Sequence, residues 1–272
     1  IILMDEFMKF DNKDIILETK DNISCLKFRK LLEFEEIEHG FYVGLDLDFK
    51  TQDINKNIIR DNFGNYEKFF NLFNLNYINC IKPIFSHSNN VLLVDKKVNI
   101  NEPDFYIYDG YDALITNKDN LILTTTSADC NLILLYDKKK RVIANVHSGW
   151  KGTFSEVCIN ALKKMKSEYQ SDYKDIMCFI LPSIRACHFE VDDDIYDKFK
   201  AKFKDSKYYH FYNKWHIDLA LIIKDGLISL GVSEDNIIDS NICTMCNSNT
   251  LHSYRKNKDK FGVSVGFIML RK

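Results

Sequence analysis

The stretch that decides the fold reads Thr126-Ser-Ala-Asp-Cys-Asn-Leu-Ile-Leu-Leu-Tyr-Asp-Lys-Lys-Lys-Arg-Val-Ile-Ala-Asn-Val-His-Ser-Gly-Trp-Lys-Gly-Thr153. Two apolar, partly β-branched runs, residues 132–136 and 141–146, flank the polar residues 137–140. This composition predicts two antiparallel strands joined by a four-residue loop. If Tyr136 pairs with Arg141, the same register places Cys130 opposite His147.

That register brings a thiol and an imidazole together at the end of the hairpin. Directly opposed Cβ atoms on one sheet face lie about 4.5–5.5 Å apart. This separation suits Cys130 and His147 as ligands of one zinc, at about 2.3 Å from sulfur and 2.0–2.1 Å from nitrogen. A slip of one residue would move the two side chains to opposite faces. The alternative is that they are unrelated residues at strand ends.

A third ligand could come from His87. A structural zinc is held by four protein ligands, whereas a catalytic zinc keeps three and leaves a position for water. His87 follows a predicted strand at residues 77–85, so a neighbouring strand could deliver it to Cys130 and His147. From the residues alone, an ordinary surface histidine is the alternative.

The end of the hairpin leads toward a predicted helix. Thr153-Phe-Ser-Glu156 has the spacing of a capping box, in which two side chains satisfy backbone donors of the first helical turn. The loop 147–152 would then join a strand to a helix start, where free N–H groups favour an anion. Gly149 and Gly152 would allow close approach of the backbone at this point.

At three further positions, the residue type alone leaves more than one role open. Asp129 beside Cys130 is either a turn carboxylate or a catalytic partner that orients a ligand or accepts a proton. Cys243-Thr-Met-Cys246 is half of a zinc knuckle, a redox pair or two buried thiols, and the absence of a second Cys-x-x-Cys favours the last. Arg255 would clamp a phosphate or carboxylate, or form only a weak surface pair.

Composition limits the class of protein. The chain has 272 residues, of which 46% are apolar, so it can bury one large core and we expect a single domain over residues 1–272. With 37 basic and 39 acidic residues, its net charge of -2 gives no general attraction to nucleic acid or anionic membrane. No apolar run approaches the roughly 20 residues of a membrane span. The first residues lack the basic flank of a signal peptide, and eight dispersed cysteines favour reduced thiols, so we expect a cytoplasmic protein.

Hydrophobic periodicity predicts helices at residues 53–74, after 153, at 192–203 and at 218–230, the last ended by Gly231. Residues 99–104 are a predicted loop. Further strands are predicted within residues 15–49 and at 91–94, 111–116, 121–126, 176–181, 237–240 and 263–270.

The motifs together resemble the laccase-domain family, also called the polyphenol oxidase or peptidoglycan-editing-factor family. Ser127-Ala-Asp-Cys130 resembles its Ala-Asp-Cys motif, and Val146-His-Ser-Gly-Trp-Lys-Gly-Thr153 resembles its His-Ala-Gly-Trp-Arg-Gly-Thr motif. Residues 107–116, 181–184, 243–244 and 253–255 resemble other segments of the family, so the likeness covers most of the chain.

This resemblance implies an α/β fold of the α+β type, with mixed β-sheets sandwiched between helix layers. It implies one metal, zinc with copper as the alternative, on His87, Cys130 and His147. It also implies phosphorolysis of adenosine, inosine, guanosine or methylthioadenosine, and adenosine deamination. For these reactions we expect a zinc-bound water with a pKa of about 7, proton transfer by Asp129, and phosphate held by Lys151, Gly152 and Arg255.

The chain also departs from the family pattern. Phe85-Ser86 stand where Gln-Val usually precedes the first ligand, Lys151 replaces an arginine and loses its bidentate geometry, and Lys256 and Val263 replace other common residues. The substrate pocket is therefore expected to differ from that of better-known members.

Four alternative functions remain. These are an amidase that edits peptidoglycan precursors, a copper polyphenol oxidase, metal-free nucleophilic catalysis by Cys130 with His147, and a metal-stabilised binding module with a fourth ligand such as His188. The seven histidines include no His-x-His pair, which disfavours a multicopper site.

Overall fold

The computed structural model describes residues 10–50, 52–54, 57–59, 62–94 and 106–272. The loop predicted at residues 99–104 lies outside these ranges. The strands, in chain order, are β1 Ile15–Lys20, β2 Ile23–Phe28, β3 Ile37–Val43, β4 Gln52–Ile54, β5 Asn57–Ile59, β6 Cys80–Ile84, β7 Val91–Leu93, β8 Tyr106–Asp109, β9 Ala113–Thr116, β10 Ile122–Ser127, β11 Asn131–Asp137, β12 Val142–Ser148, β13 Ile176–Ile180, β14 Glu190–Val191, β15 Tyr209–Phe211, β16 Trp215–Ile217, β17 Ile237–Asp239 and β18 Ser264–Leu270. The helices are α1 Phe63–Leu72, α2 Trp150–Phe154, α3 Val157–Tyr169, α4 Asp193–Lys202, α5 Leu219–Leu230 and α6 Tyr254–Asn257.

Two mixed sheets form the centre of the molecule. The first has the order β1-β2-β3-β18-β10-β6-β8, and the second has the order β17-β13-β11-β12-β9-β7. Their facing sides share one hydrophobic core, in which Phe28 and Ile268 of the first sheet meet Leu134 and Phe179 of the second. Because both faces of β11 and β12 are covered, these strands are apolar almost throughout, as the sequence predicts.

Helices cover the outer faces of both sheets. On the second sheet, Ala161 and Met165 of α3 and Leu227 of α5 pack against the β-strands. On the first sheet, Phe69 and Phe70 of α1 do the same. The layers therefore follow the order helix, sheet, sheet, helix, which confirms the predicted fold class. A small sheet of β14, β16 and β15 lies beside α4, and β4 pairs with β5.

Two helix predictions need correction. Within the segment 53–74, β4 and β5 form a hairpin and only Phe63–Leu72 is helical, because short apolar runs do not distinguish strand from helix. The capping box is also wrong: Thr153 lies inside α2, and Glu156 has a φ of +61° that separates α2 from α3. By contrast, the predicted start and end of α5 are confirmed, since Asp218 accepts from Leu221 N–H and Gly231 adopts a φ of +112°.

The predicted hairpin forms, but in another register. Asp137 pairs with Val142 and Leu132 pairs with His147, so the pairing of Tyr136 with Arg141 is wrong. The reason is the turn itself: Arg141 has a φ of +52°, and Asp137 Oδ1 accepts from the N–H groups of residues 139 and 140. The loop is therefore residues 138–141, and Cys130 lies just before the paired region.

No helix within the described ranges is long and apolar enough to cross a membrane.

Candidate metal centre

His147 lies near the end of β12, with its side chain buried. Its position is fixed twice by Asp112, the residue before β9, because β9 pairs with β12. The His147 backbone N–H donates to Asp112 O at 2.7 Å, and the imidazole Nδ1 lies 2.9 Å from Asp112 Oδ1. A carboxylate only accepts, so Nδ1 carries the hydrogen and Nε2 is left as the ligand atom.

The Asp112 carboxylate also holds the loop that carries His87. Its Oδ2 accepts from Ser88 N–H at 2.8 Å, from Ser88 Oγ at 2.9 Å and from Ser86 Oγ at 3.3 Å. Burial raises the pKa of Asp112, but the hydrogen bonds from His147 and Ser88 outweigh it and the pKa is lowered. One buried anion therefore connects two candidate ligands.

His87 follows β6 at a bend where its own φ is +52°. This left-handed conformation turns its ring back toward His147, and the two ring centroids lie 5.2 Å apart in an edge-to-face arrangement. The His87 side chain is exposed, whereas His147 is buried. The cluster therefore opens to solvent on the His87 side.

Cys130 completes the group. The ligand atoms of His87, Cys130 and His147 all lie within 4.8 Å of one another. Cys130 and His147 lie close together as predicted, but not through the predicted register. Asp129, with a φ of +96°, bends the chain so that Cys130 approaches His147 without facing it across the strands.

The thiol of Cys130 and the imidazole of His147 shift each other's pKa. Burial raises the pKa of Cys130, but the charge of His147 and hydrogen bonds from both histidines outweigh burial and lower it to about 7. Burial lowers the pKa of His147, but the Cys130 thiolate and the Asp112 carboxylate outweigh it and raise it to about 9. A thiolate beside imidazoles is the donor set that both zinc and copper accept.

Two residues shape the surroundings of the donors. The Phe85 ring stacks on the His147 ring at 4.0 Å, so it covers one face of this ligand. Gly149 approaches from the other strand end, where a Cβ would lie 2.9 Å from Cys130 Sγ and 3.3 Å from His87 Cδ2. A side chain at this position would enter the space of the donors.

Asp129 is engaged on both oxygens. Its Oδ1 accepts from Thr244 Oγ1 at 2.6 Å, and its Oδ2 accepts from the Arg255 backbone N–H at 2.7 Å. This buried carboxylate therefore anchors two distant segments next to Cys130. Such contacts favour the structural alternative for Asp129, and its proposed role in proton transfer stays a prediction.

The predicted phosphate ligands have different environments. Lys151 is exposed, with Nζ 5.5 Å from the centre of the Trp150 ring. Gly152 is buried inside α2, where a Cβ would lie 3.2 Å from a methyl group of Val157. The Arg255 guanidinium donates to the carbonyl groups of His188 and Glu190. Only Lys151 among these three therefore presents its functional group to solvent.

Sequence reasoning missed Asp112 as a site residue. In the sequence, Asp112 belongs only to the motif of residues 107–116. The available signal was an acidic residue directly before a buried strand, a position where a carboxylate is unexpected unless it has partners. Without the pairing of β9 with β12, nothing in the sequence connects it to His147.

Comparison with known proteins identifies a family that this chain matches. The sequence profile of the family described as multi-copper polyphenol oxidoreductase laccase matches residues 35–271. A purine nucleoside phosphorylase of Clostridium acetobutylicum is 32% identical over 263 residues, covering 91% of this chain and 99% of the relative. A purine nucleoside phosphorylase of Bacteroides thetaiotaomicron is 30% identical, covering 70% of this chain and 73% of the relative.

Solved structures show the same fold. The hypothetical protein YfiH of Bacillus licheniformis superposes with a TM-score of 0.83 at 20% identity, covering 96% of this chain and 100% of its own. YlmD of Geobacillus stearothermophilus superposes with a TM-score of 0.81 at 18% identity, covering 95% and 100%. From the extent of the profile match and the shared fold, the chain belongs to the multi-copper polyphenol oxidoreductase laccase family.

Proposed function

We propose that this protein is a zinc-dependent purine nucleoside phosphorylase whose metal is held by His87, Cys130 and His147. The observation that carries the proposal is the three-donor cluster itself, which is fixed from within by Asp112 and open to solvent at His87. Three protein ligands with an open side are typical of catalytic zinc, whereas structural zinc sites are closed by a fourth. The names of the relatives supply the substrate class.

The protein residues around the cluster have separate tasks. Asp112 keeps His147 in one tautomer and orientation, and the stacked Phe85 restricts access to its ring. A metal bound there would act as a Lewis acid toward an oxygen of the substrate. Phosphorolysis breaks the bond between C1′ of the ribose and N9 of the purine and forms a bond from C1′ to a phosphate oxygen.

Phosphate carries negative charge, so it needs a cation near the reacting carbon. Lys151 is exposed and lies two residues after Gly149 in the chain. Gly149 itself borders Cys130 and His87. Lys151 is therefore our candidate for phosphate binding. Arg255 would contribute only by giving up its hydrogen bonds to the carbonyl groups of His188 and Glu190.

Adenosine deamination is a second reaction that the same open site supports. A metal held by these residues would activate a water molecule. The water oxygen would form a bond to C6 of the purine, and the bond from C6 to the amino nitrogen would break to release ammonia, with no need for phosphate. Ribose 1-phosphate and ammonia are distinct products, so one assay with adenosine, with and without phosphate, separates the two reactions.

The test combines metal content with turnover. We expect the wild type to release purine from inosine and adenosine in a phosphate-dependent manner, and Cys130→Ser to lose one metal ion per chain together with turnover. Cys158→Ala is the control, because this thiol is buried in α3 and is not one of the three donors. Quantifying zinc and copper separately identifies the metal.

Specific outcomes contradict the proposal. If Cys130→Ser loses the metal but keeps full turnover, the cluster does not catalyse the reaction. If turnover needs Cys130 but survives removal of the metal by a chelator, metal-free catalysis is favoured, since a Cys130 pKa of about 7 already provides thiolate at neutral pH. A metal-loaded protein inactive on every purine nucleoside, but active on a peptidoglycan precursor, would favour the amidase.

A further inference from the structure

A second group of sulfur and nitrogen donors lies apart from the candidate metal centre in the described part of the chain. Cys187 and His188 belong to the segment between β13 and β14, and Cys243 and Cys246 belong to the turn after β17. Cys243 is buried, but Cys187 and Cys246 are exposed. The sequence prediction of two buried thiols in Cys243-Thr-Met-Cys246 is therefore wrong for Cys246.

The imidazole of His188 is surrounded by all three thiols. Its Nδ1 lies 3.2 Å from Cys187 Sγ, 3.3 Å from Cys246 Sγ and 3.7 Å from Cys243 Sγ. The sulfur atoms of Cys187 and Cys246 are 3.7 Å apart. All four ligand atoms lie within 4.8 Å of one another.

We propose that Cys187, His188, Cys243 and Cys246 form a structural zinc site. Tetrahedral zinc with sulfur at about 2.3 Å and nitrogen at about 2.0–2.1 Å places two sulfurs about 3.8 Å apart and sulfur and nitrogen about 3.6 Å apart. The sulfur separation of 3.7 Å and the three sulfur–nitrogen distances of 3.2–3.7 Å have the size of the edges of such a tetrahedron. The Cys-x-x-Cys spacing of residues 243–246 is also typical of a zinc knuckle.

The composition of the group separates zinc from a disulfide. A disulfide would use two of the thiols and leave a third thiol and the imidazole without a shared role. Zinc uses all four donors, and a four-ligand site is closed, so it has no position for substrate. The site is therefore structural, in contrast to the open cluster of His87, Cys130 and His147.

A zinc ion at this position would connect two segments that are distant in sequence. His188 and Cys243 are 55 residues apart, and each segment reaches toward the candidate metal centre. Thr244, next to Cys243, donates to Asp129, and Arg255 connects the His188 carbonyl to Asp129 through its side chain and its backbone N–H. The second zinc therefore supports the carboxylate that precedes the ligand Cys130.

The test counts metal in the full-length protein purified under reducing conditions. We expect about two zinc ions per chain in the wild type and about one in His188→Ala, in Cys246→Ser and in Cys130→Ser. His188→Cys keeps four ligands, so this variant should hold about two zinc ions. His210→Cys makes the same substitution on strand β15, outside the group of four donors, and should leave the metal content unchanged. Combining His188→Ala with Cys130→Ser should remove both ions.

Cobalt(II) and thiol reactivity report on the same site without using turnover. In Cys130→Ser loaded with cobalt(II), tetrahedral ligand-field bands and strong thiolate charge-transfer absorption should persist. They should disappear in the double variant that combines Cys130→Ser with His188→Ala. In the zinc-loaded wild type, the exposed Cys187 and Cys246 should resist a thiol reagent until a chelator is added.

The proposal is overturned if His188→Ala and Cys246→Ser bind as much metal as the wild type. It is also overturned if Cys187 and Cys246 are found as a disulfide in protein that retains all of its metal. Cys130→Ser tests the other cluster separately. If the proposed phosphorylase function fails, the test of the four-donor site can therefore still be interpreted.

Discussion

The buried imidazole of His147 donates its Nδ1 hydrogen to Asp112 Oδ1 across 2.9 Å, and the same carboxylate accepts from Ser88 through its other oxygen. A ligand histidine is most effective when its second nitrogen is held in this way, because the tautomer and the direction of the free lone pair are then fixed before the metal binds. Asp112 therefore fixes the orientation of His147 and the position of the loop that carries His87.

Replacing Asp112 with Asn should weaken metal binding by about 10–100-fold. The amide has one acceptor oxygen, so it can accept either from His147 or from Ser88, and its NH2 group then faces a donor on the other side. Competition with a chelator at neutral pH measures the affinity. Asp109→Asn is the matched control, because it removes an exposed carboxylate three residues away. Equal affinities in both variants would exclude this role of Asp112.

Replacing Gly149 with Ala should also reduce metal affinity, by at least about tenfold. The new Cβ would lie 2.9 Å from Cys130 Sγ, so the thiol must rotate away from the two histidines. Gly149 has an extended backbone with a φ of -69°, so the cause would be steric and not conformational. We expect the metal content to fall while the thermal unfolding midpoint of the metal-free protein changes little.

Gly64→Ala provides the control for this substitution. A Cβ at Gly64 in α1 meets no atom within 4 Å, and alanine is the better helix former, so the free energy of unfolding should rise by up to about 1 kcal/mol with no change in metal. Loss of metal in both variants would mean that Gly149→Ala acts through general destabilisation.

The hairpin shows how far sequence reasoning reached and where it stopped. Apolar runs on both sides of a polar loop were sufficient to predict β11 and β12, because both strands are buried on both faces. The register depended on which residue closes the turn, and this was decided by the positive φ of Arg141 and the hydrogen bonds to Asp137. Such turn geometry is not encoded in hydrophobic periodicity.

The candidate site shows the same limit. His87, Cys130 and His147 were found through their residue types and the family motif, since metal ligands must come from a short list of side chains. By contrast, the contact of Asp112 with His147 and the group around His188 depend on the pairing of β9 with β12 and of β13 with β17. These contacts join residues far apart in the chain, and one sequence alone does not specify them.

Two roles of Asp129, a structural anchor and a catalytic base, can be distinguished by substitution. Asp129→Asn should retain most of the turnover, because Asn also tolerates a positive φ and can still accept from the Arg255 N–H. Asp129→Ala should lower the free energy of unfolding by about 2–4 kcal/mol, since two buried hydrogen bonds are lost at a strained backbone position. Urea unfolding and steady-state kinetics on both variants decide between the roles. A fall in kcat of Asp129→Asn by about 100-fold or more, at unchanged stability, would identify a proton-transfer group.

Stability should depend on pH through His39, a buried residue of β3. Its Nε2 accepts the Phe28 N–H at 2.8 Å, and burial together with the nearby charge of Lys27 lowers its pKa from 6.5 to about 3. The folded protein keeps this imidazole neutral, whereas the unfolded chain binds a proton below pH 6.5. The stabilisation is therefore complete above that pH and is lost as the pH falls toward 3.

Urea unfolding should show a loss of about 1.4 kcal/mol from this residue between pH 7.5 and 5.5. His39→Gln removes the titrating group but keeps an acceptor for Phe28 N–H. Between pH 7.5 and 5.5, the free energy of unfolding of this variant should therefore fall by about 1.4 kcal/mol less than that of the wild type. His210→Gln is the matched control, because it makes the same substitution at a partly buried histidine of β15. A wild type and a His39→Gln variant with parallel pH profiles would show that His39 does not cause the loss.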